Sequence, residues 1–182
     1  EQPRSLTFTV NEWPDLQFTI PMVGEYNVNN ALAAMAVGRL FHITPDRIKQ
    51  ALANVELTEN RAEWVTGENG EQILSDVYNS NPTAAKQVLK TVAEMPVEGR
   101  RIAVLGDMLE LGEASARLHA SLAAQIDPDK IQEVYLVGEQ MAALKTRLTE
   151  DGYPAAAIHY YQADQLDQLS EDLQATLTAS DI

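Results

Sequence analysis

The feature that most constrains the fold is the alternation of short apolar runs with amphipathic segments in the second half of the chain. Mostly apolar runs lie at 101–105, 134–137 and 158–161. Segments with leucine, valine or isoleucine at helical spacing flank them, at 82–95, 115–126, 139–149 and from Leu166 onward. Apolar strands that alternate with amphipathic helices form a parallel sheet covered on both faces. The pattern therefore predicts an α/β, Rossmann-like domain with a mainly parallel sheet.

The first sixty residues follow a different pattern. Leu6, Phe8 and Val10 alternate with threonines, and a second alternating run covers 16–20, which predicts a hairpin. Helical spacing follows at 27–41 and 44–55. A hairpin with two helices is small for an independent domain. We therefore expect residues 1–59 to be the tail of a larger domain, and residues 60–182 to form the Rossmann-like domain, itself cut at its end.

Charge and composition exclude several classes of partner. The chain has 27 acidic and 13 basic residues, a formal net charge of −14, and no cysteine. This charge repels phosphate backbones and anionic membrane surfaces, so we expect no nucleic-acid partner. The apolar runs are too short to span a bilayer and the N-terminus is not a signal peptide. We expect a cytoplasmic protein with no membrane insertion.

The first group of polar residues lies between a predicted strand and a predicted helix, in residues 76–81, here called the Asp76 loop. Asn81 followed by proline is a good helix start, which explains Asn81 fully. It does not explain Asp76, Tyr78 or Asn79. A carboxylate can accept from both ribose hydroxyls and an amide can pair with a base edge. Nucleotide binding and ordinary turn chemistry are both open for this loop.

A second polar loop follows the predicted strand at 101–105. Residues 106–112, here called the Asp107 loop, carry Asp107 and Glu110 between two glycines. Ligands of parallel sheets bind beyond the carboxyl ends of the strands, which makes both acids candidates, and His119 could approach them. The alternative is a strand-to-helix loop in an acidic protein.

Two further places could meet a polar ligand. Three asparagines open the helix at 27–41, more amides than one helix cap needs, so Asn27 and Asn30 are candidates. Arg61 lies at the expected junction of the two parts, where it could reach an anion.

Several common sites have no sequence signal. The histidines are scattered with no metal-ligand spacing, so we assign no metal ligand. The Gly-x-Gly-x-x-Gly fingerprint and the Gly-x-x-x-x-Gly-Lys-Ser/Thr phosphate loop are both missing. A nucleotide could be held here by its adenosine, but nothing here activates its terminal phosphate.

Three segments together resemble the Mur ligase family. Residues 24–34, Gly-Glu-Tyr-Asn-Val-Asn-Asn-Ala-Leu-Ala-Ala, are similar to its Gly-x-His-Asn-x-x-Asn-x-x-Ala-Ala segment. Residues 74–82, ending in Tyr-Asn-Ser-Asn-Pro, are similar to an Asp-Asp-Ser-Tyr-Asn-Ala-Asn-Pro segment. Residues 104–112 and His119 are similar to Gly-Asp-Met-x-Glu-Leu-Gly…His. The last two segments are typical of the branch of the family that adds D-alanyl-D-alanine.

The resemblance implies a three-domain enzyme of which this chain is the C-terminal part. The tripeptide carboxylate of UDP-N-acetylmuramoyl-tripeptide would be phosphorylated by ATP, and the amine of D-Ala-D-Ala would attack the acyl phosphate. The P-loop of the α/β central domain, the Mg²⁺ ligands and a carbamylated lysine would lie before Glu1. The resemblance therefore implies that no catalytic residue lies in this chain and that the chain alone is inactive. A monomer is implied for the whole enzyme.

The resemblance also assigns roles by position. Asn27 and Asn30 would contact the adenine, Asp76 the ribose and Arg61 the phosphates. Tyr78 and Asn79 would complete the nucleotide side, while the substrate-side candidates would be Asp107, Glu110 and His119.

The sequence departs from the family pattern at three positions. Tyr26 replaces the usual histidine, Ser75 replaces an aspartate and Val77 replaces a serine. Asp76 is then the only carboxylate left there for the ribose. The alternatives are another Mur-type or folylpolyglutamate-type ligase, and a non-catalytic nucleotide-binding module.

Overall fold

The computed structural model describes residues 4–56 and 62–182. The first part is an antiparallel hairpin followed by two helices: β1 (Leu6–Val10), β2 (Trp13–Ile20), α1 (Tyr26–Leu40) and α2 (Pro45–Ala53). Phe18 of β2, Met35 of α1 and Ile48 of α2 are buried together, so one apolar cluster joins the hairpin to both helices. The predicted boundary between residues 59 and 60 lies outside the described residues.

The second part begins with a second antiparallel hairpin and then alternates helices with strands. Its elements are β3 (Glu63–Thr66), β4 (Gln72–Ser75), α3 (Pro82–Glu94), β5 (Ile102–Gly106), α4 (Ser115–Ala120), β6 (Glu133–Val137), α5 (Ala142–Glu150), β7 (Ile158–Tyr161) and α6 (Leu166–Thr176).

The last three strands form a parallel sheet in the order β5-β6-β7, with Leu105 opposite Leu136 and Leu136 opposite Tyr160. On one face the core includes Leu89, Leu136 and Leu144. On the other face Leu169 of α6 packs with Tyr135. Helices therefore cover both faces, which confirms the predicted α/β fold with a parallel sheet.

Two helices differ from their predicted lengths. The segment predicted as one helix at 115–126 is α4 followed by a 3-10 turn, Ser121–Gln125. The Ser121 hydroxyl donates to the carbonyl oxygen of Leu118 at 2.7 Å, a local bond that competes with α-helix continuation. The helix predicted from residue 139 begins at Ala142, and the N–H groups of residues 140 and 141, just before it, donate to the Asp107 carboxylate.

The two parts contact each other through a further apolar cluster. Val23, which precedes α1, is buried with Met95 at the end of α3 and with Ile182. Gly24 lies against Thr91, so the start of α1 lies beside α3. None of the described helices is long and apolar enough to cross a membrane.

Candidate nucleotide and substrate site

The two polar loops predicted from the sequence lie on one cleft. The cleft has a volume of about 380 Å³ and is lined by both loops, by α3 and by β5. Asp76, Tyr78 and Asn79 contribute from the Asp76 loop and Asp107 from the Asp107 loop. The carboxyl ends of β4 and β5 therefore share one edge of the fold, the position where parallel-sheet proteins bind ligands.

Asp76 is held where the second part of the chain begins. Its Oδ1 accepts a hydrogen bond from the Ala62 N–H at 3.1 Å. Ala62 is buried and has a φ of 49°, a left-handed conformation that is uncommon for alanine. The hydrogen bond therefore fixes the carboxylate relative to β3 and supports a strained backbone.

Tyr78 and Asn79 extend from the same loop toward solvent. Tyr78 is 61% exposed, and Asn79 is exposed as well. Asn81, by contrast, caps α3: its Oδ1 accepts from the N–H groups of Thr83 and Ala84 at 3.1 and 2.9 Å. Asn81 therefore has a capping role in α3, whereas Tyr78 and Asn79 take no part in the cap.

The asparagines at the start of α1 have unequal roles. Asn27 is 2% exposed, and its amide donates to the Val23 carbonyl at 2.7 Å. Its Oδ1 accepts from the amide of Asn30 at 3.1 Å. Asn27 thus anchors the helix start, while Asn30 is exposed and oriented by Asn27.

Tyr26 connects the helix start to the Asp76 loop. Burial, and secondarily the charge of Asp76, raise the pKa of the Tyr26 phenol. A Cβ on Gly24 would lie 2.3 Å from the Tyr26 ring, so only glycine permits the ring to pack there. Tyr26 and Asp76 therefore belong to one electrostatic environment, although they come from different parts of the chain.

Asp107 joins the ends of two adjacent strands. Its carboxylate accepts from the N–H groups of Gln140 and Met141 at 3.2 and 3.0 Å, just after β6. Gly138 has a φ of 106°, and a Cβ there would lie 2.4 Å from the Asp107 carboxyl carbon. The hydrogen bonds of Asp107 to the backbone after β6 therefore require glycine at position 138, where a side chain would collide with the carboxylate.

His119 lies beneath the Asp107 loop and is fully buried. Its Nε2 accepts from the Met108 N–H at 2.9 Å, and its Nδ1 lies 2.8 Å from the Ser115 carbonyl oxygen. An imidazole that accepts at Nε2 carries its proton on Nδ1, which donates to Ser115. The ring therefore shapes the loop from inside and does not face the cleft.

Leu109 and Glu110 form the exposed tip of the Asp107 loop. Leu109 is 76% exposed, and Glu110 is exposed with a φ of 63°. A left-handed backbone at a glutamate is uncommon. Because Asp107, Met108 and His119 fix the base of the loop, its tip is held outward.

Arg61 lies outside the described residues. Within residues 4–56 and 62–182, no group of three or more histidine, aspartate or glutamate side chains could hold a metal ion.

Residues 60–182 match the family described as Mur ligase, glutamate ligase domain. The chain belongs to the Mur ligase family. The match spans the whole Rossmann-like domain, including the Asp76 loop and the Asp107 loop.

Individual Mur ligases are similar to the chain in sequence. It is 38% identical over 122 residues to UDP-N-acetylmuramoyl-tripeptide--D-alanyl-D-alanine ligase of Bacillus subtilis, covering 67% of this chain and 27% of that protein. The Escherichia coli ligase of the same name is 35% identical over 127 residues, covering 70% and 28%. The chain thus spans under a third of the length of these curated relatives.

A solved Mur ligase structure has the same fold. MurF ligase from Thermotoga maritima, solved in complex with ADP, has a TM-score of 0.71 and 21% identity. The match covers 98% of this chain and 41% of that one. Both parts of the chain therefore fit within the Mur ligase architecture.

The sequence did not indicate two residues that organise the site. Gly138 reads as an ordinary turn glycine, yet its missing Cβ leaves room for Asp107. Gln140 accepts from the Ser115 hydroxyl at 2.9 Å and so supports the helix that carries His119. One sequence feature could have pointed to Gly138. A glycine followed by an acidic residue, at 106–107 and again at 138–139, lies at the end of two consecutive strands of this Mur ligase domain.

Proposed function

We propose that this chain is the C-terminal part of an ATP-dependent ligase that adds D-Ala-D-Ala to UDP-N-acetylmuramoyl-tripeptide, a step in peptidoglycan precursor synthesis. The observation that carries the proposal is the 38% identity to a ligase of that name. The two polar loops on one cleft support it, because they belong to the segments typical of the D-alanyl-D-alanine-adding branch.

On the nucleotide side, adenosine lies between the start of α1 and the Asp76 loop. Asn30, oriented by the buried Asn27, offers an amide to the base edge. Asp76 accepts from the ribose hydroxyls, with Tyr78 and Asn79 completing the wall. Arg61 reaches the phosphates. ATP as the nucleotide is supported by the ADP complex of the Thermotoga maritima relative.

The phosphate chemistry belongs to the rest of the enzyme. Magnesium, when bound there, neutralises the charge of the transferring phosphoryl group. The residues of this chain orient the adenosine and help to exclude water from the acyl phosphate.

On the substrate side, the Asp107 loop presents Glu110 toward the acceptor. A carboxylate suits the ammonium group of a dipeptide before that group loses its proton. Asp107 and His119 hold the loop in place from its base. The whole enzyme acts as a monomer in the cytoplasm.

The test uses the full-length parent enzyme. ATP-dependent phosphate release is measured with UDP-N-acetylmuramoyl-tripeptide as D-Ala-D-Ala or single amino acids, glutamate among them, are added in turn. We expect turnover with D-Ala-D-Ala alone, and none from the 182-residue chain. Turnover with a different acceptor would replace the proposal with another Mur-type or folylpolyglutamate-type ligase. A folded parent that carries a P-loop but shows no turnover would also favour a related ligase, and a parent without a P-loop would leave a nucleotide-binding module.

A further inference from the structure

Each of the two loops on the cleft carries one large apolar residue that is exposed to solvent. Val77 of the Asp76 loop is 75% exposed, and Leu109 of the Asp107 loop is 76% exposed. Both residues line the cleft. Ligand-binding pockets combine apolar walls with a few polar groups. The two residues therefore indicate that the ligands of this cleft have apolar groups as well as polar ones.

The backbone on both sides of Leu109 holds it at the tip of the loop. Before it, Met108 is 2% exposed, and its N–H donates to the fully buried His119 ring at 2.9 Å. After it, Glu110 has the left-handed φ of 63°. Met108 thus already occupies the core position beneath the loop, and the chain turns directly after Leu109. Leu109 cannot reach the core without breaking the bond between Met108 and His119.

This conformation of the tip is unfavourable in the free chain. An exposed leucine forgoes the free energy that burial of its side chain would release. A left-handed residue other than glycine is uncommon, and such residues cluster at ligand sites. Leu109 and Glu110 have these two features at successive positions. A ligand that covers the Leu109 side chain would supply the burial that the fold does not.

The proposed acceptor has groups that fit this tip. D-Ala-D-Ala has one methyl group on each of its residues, and the proposed function places it against the Asp107 loop. Asp107 and His119 already accept the hydrogen bonds that hold the loop. Among residues 106–112, all of which the structure describes, Leu109 is the large apolar residue that is both exposed and on the cleft.

We infer, on the basis of the proposed function, that Leu109 is a specificity-determining residue whose side chain packs against a methyl group of the acceptor dipeptide. An acceptor without that methyl leaves Leu109 in water, and an acceptor with a polar group there buries that group without a partner. Glu110 attracts the ammonium group, which every dipeptide has. Glu110 thus orients the acceptor, and Leu109 selects its side chain.

Val77 provides a matched control on the same cleft. Its exposure equals that of Leu109 to within one per cent, but it lies beside Asp76, where the proposed function places the ribose. We therefore assign the acceptor contact to Leu109 alone. Val77→Ala removes a comparable apolar group from the cleft without removing the proposed contact with the acceptor.

The test combines enzyme variants with acceptors in the full-length parent enzyme. The wild type, Leu109→Ala and Val77→Ala are each assayed by ATP-dependent phosphate release with D-Ala-D-Ala, Gly-D-Ala and D-Ala-Gly. Each glycine dipeptide lacks one of the two methyl groups, so the comparison isolates the contact of that methyl with Leu109. Leu109→Met, which keeps an apolar side chain of similar volume, is the conservative variant.

We expect Leu109→Ala to lower kcat/KM for D-Ala-D-Ala by roughly tenfold, through the KM for the dipeptide, with the KM for ATP unchanged. With the glycine dipeptide that lacks the contacted methyl, the same substitution should lower kcat/KM by less than about twofold. Leu109→Met should restore most of the loss. Val77→Ala should change kcat/KM by the same factor with all three acceptors.

An equal loss with all three acceptors in Leu109→Ala would overturn the inference, because Leu109 would then support the loop or contact another part of the enzyme. Unchanged kcat/KM with every acceptor would overturn it as well. Both results presuppose a wild-type enzyme that uses D-Ala-D-Ala, so they leave the proposed function intact. A wild-type enzyme that does not use D-Ala-D-Ala would refute the proposed function and this inference with it.

Discussion

The carboxylate of Asp107 lies 3.0 Å from the backbone nitrogen of Met141 and accepts its hydrogen bond. This bond joins the end of β5 to the turn after β6, and the buried Gly138 lies directly against the same carboxylate. Asp107 therefore has a structural function that is independent of any substrate. Variants of Gly138 can test that function without removing the carboxylate.

Gly138→Ala should destabilise the chain more than Gly152→Ala. Both glycines have left-handed φ values, 106° and 83°, but a Cβ at Gly152 meets no atom within 4 Å. Gly152→Ala should lower the free energy of unfolding by about 1 kcal/mol through backbone strain. Gly138→Ala should lower it by a further ~1–3 kcal/mol, because Asp107 must move and lose its hydrogen bonds. Urea denaturation measures both; equal losses would contradict the Asp107 contact.

His119→Ala should destabilise the chain and loosen the Asp107 loop. The substitution leaves a cavity and removes the acceptor of the Met108 N–H, so we expect a loss of about 2–4 kcal/mol. The exposed Arg117 of the same helix provides the control, and Arg117→Ala should change stability by less than about 0.5 kcal/mol. Hydrogen exchange at the Met108 amide should accelerate in His119→Ala only. An unchanged Met108 amide would show that His119 does not hold the loop.

Asp181 should make stability depend on pH in the acid range. Burial alone would raise its pKa, but hydrogen bonds from the Arg100 side chain and from the N–H groups of Arg100 and Thr178 outweigh burial. They lower the pKa from 3.8 to about 2. A depressed folded-state pKa stabilises the fold above the unfolded value, and this contribution is lost as the pH falls toward 2.

The stability difference between the native chain and Asp181→Asn should therefore shrink by about 2 kcal/mol between pH 5 and pH 2. Comparing the two proteins cancels the titration of the other carboxylates. Denaturation at several pH values gives the difference directly, and a difference that stays constant would contradict the ion pair between Arg100 and Asp181.

The sequence predicted the parallel sheet because apolar strands and amphipathic helices carry their own periodicity. It also predicted the Asn81 cap, because a cap and its proline are neighbours in the chain. It did not predict which of the two asparagines is buried, since the contact of Asn27 with the Val23 carbonyl depends on how the chain turns before α1.

The environment of His119 also could not be predicted from the sequence. The sequence places it near the Asp107 loop but does not show which side of the loop it occupies. Its burial follows from the packing of α4 against α5 and the 3-10 turn, which are tertiary contacts. Likewise, the need for Gly138 follows from Asp107, which is distant in sequence.

In the proposed enzyme the Asp76 loop binds the nucleotide and the Asp107 loop binds the acceptor. Steady-state kinetics of the full-length enzyme test this claim most directly, with Asp76→Asn and Glu110→Gln compared in parallel. We predict that Asp76→Asn raises the KM for ATP about tenfold and leaves that for D-Ala-D-Ala unchanged, and that Glu110→Gln does the reverse. A rise in the KM for ATP in both variants, or in neither, would contradict the claim.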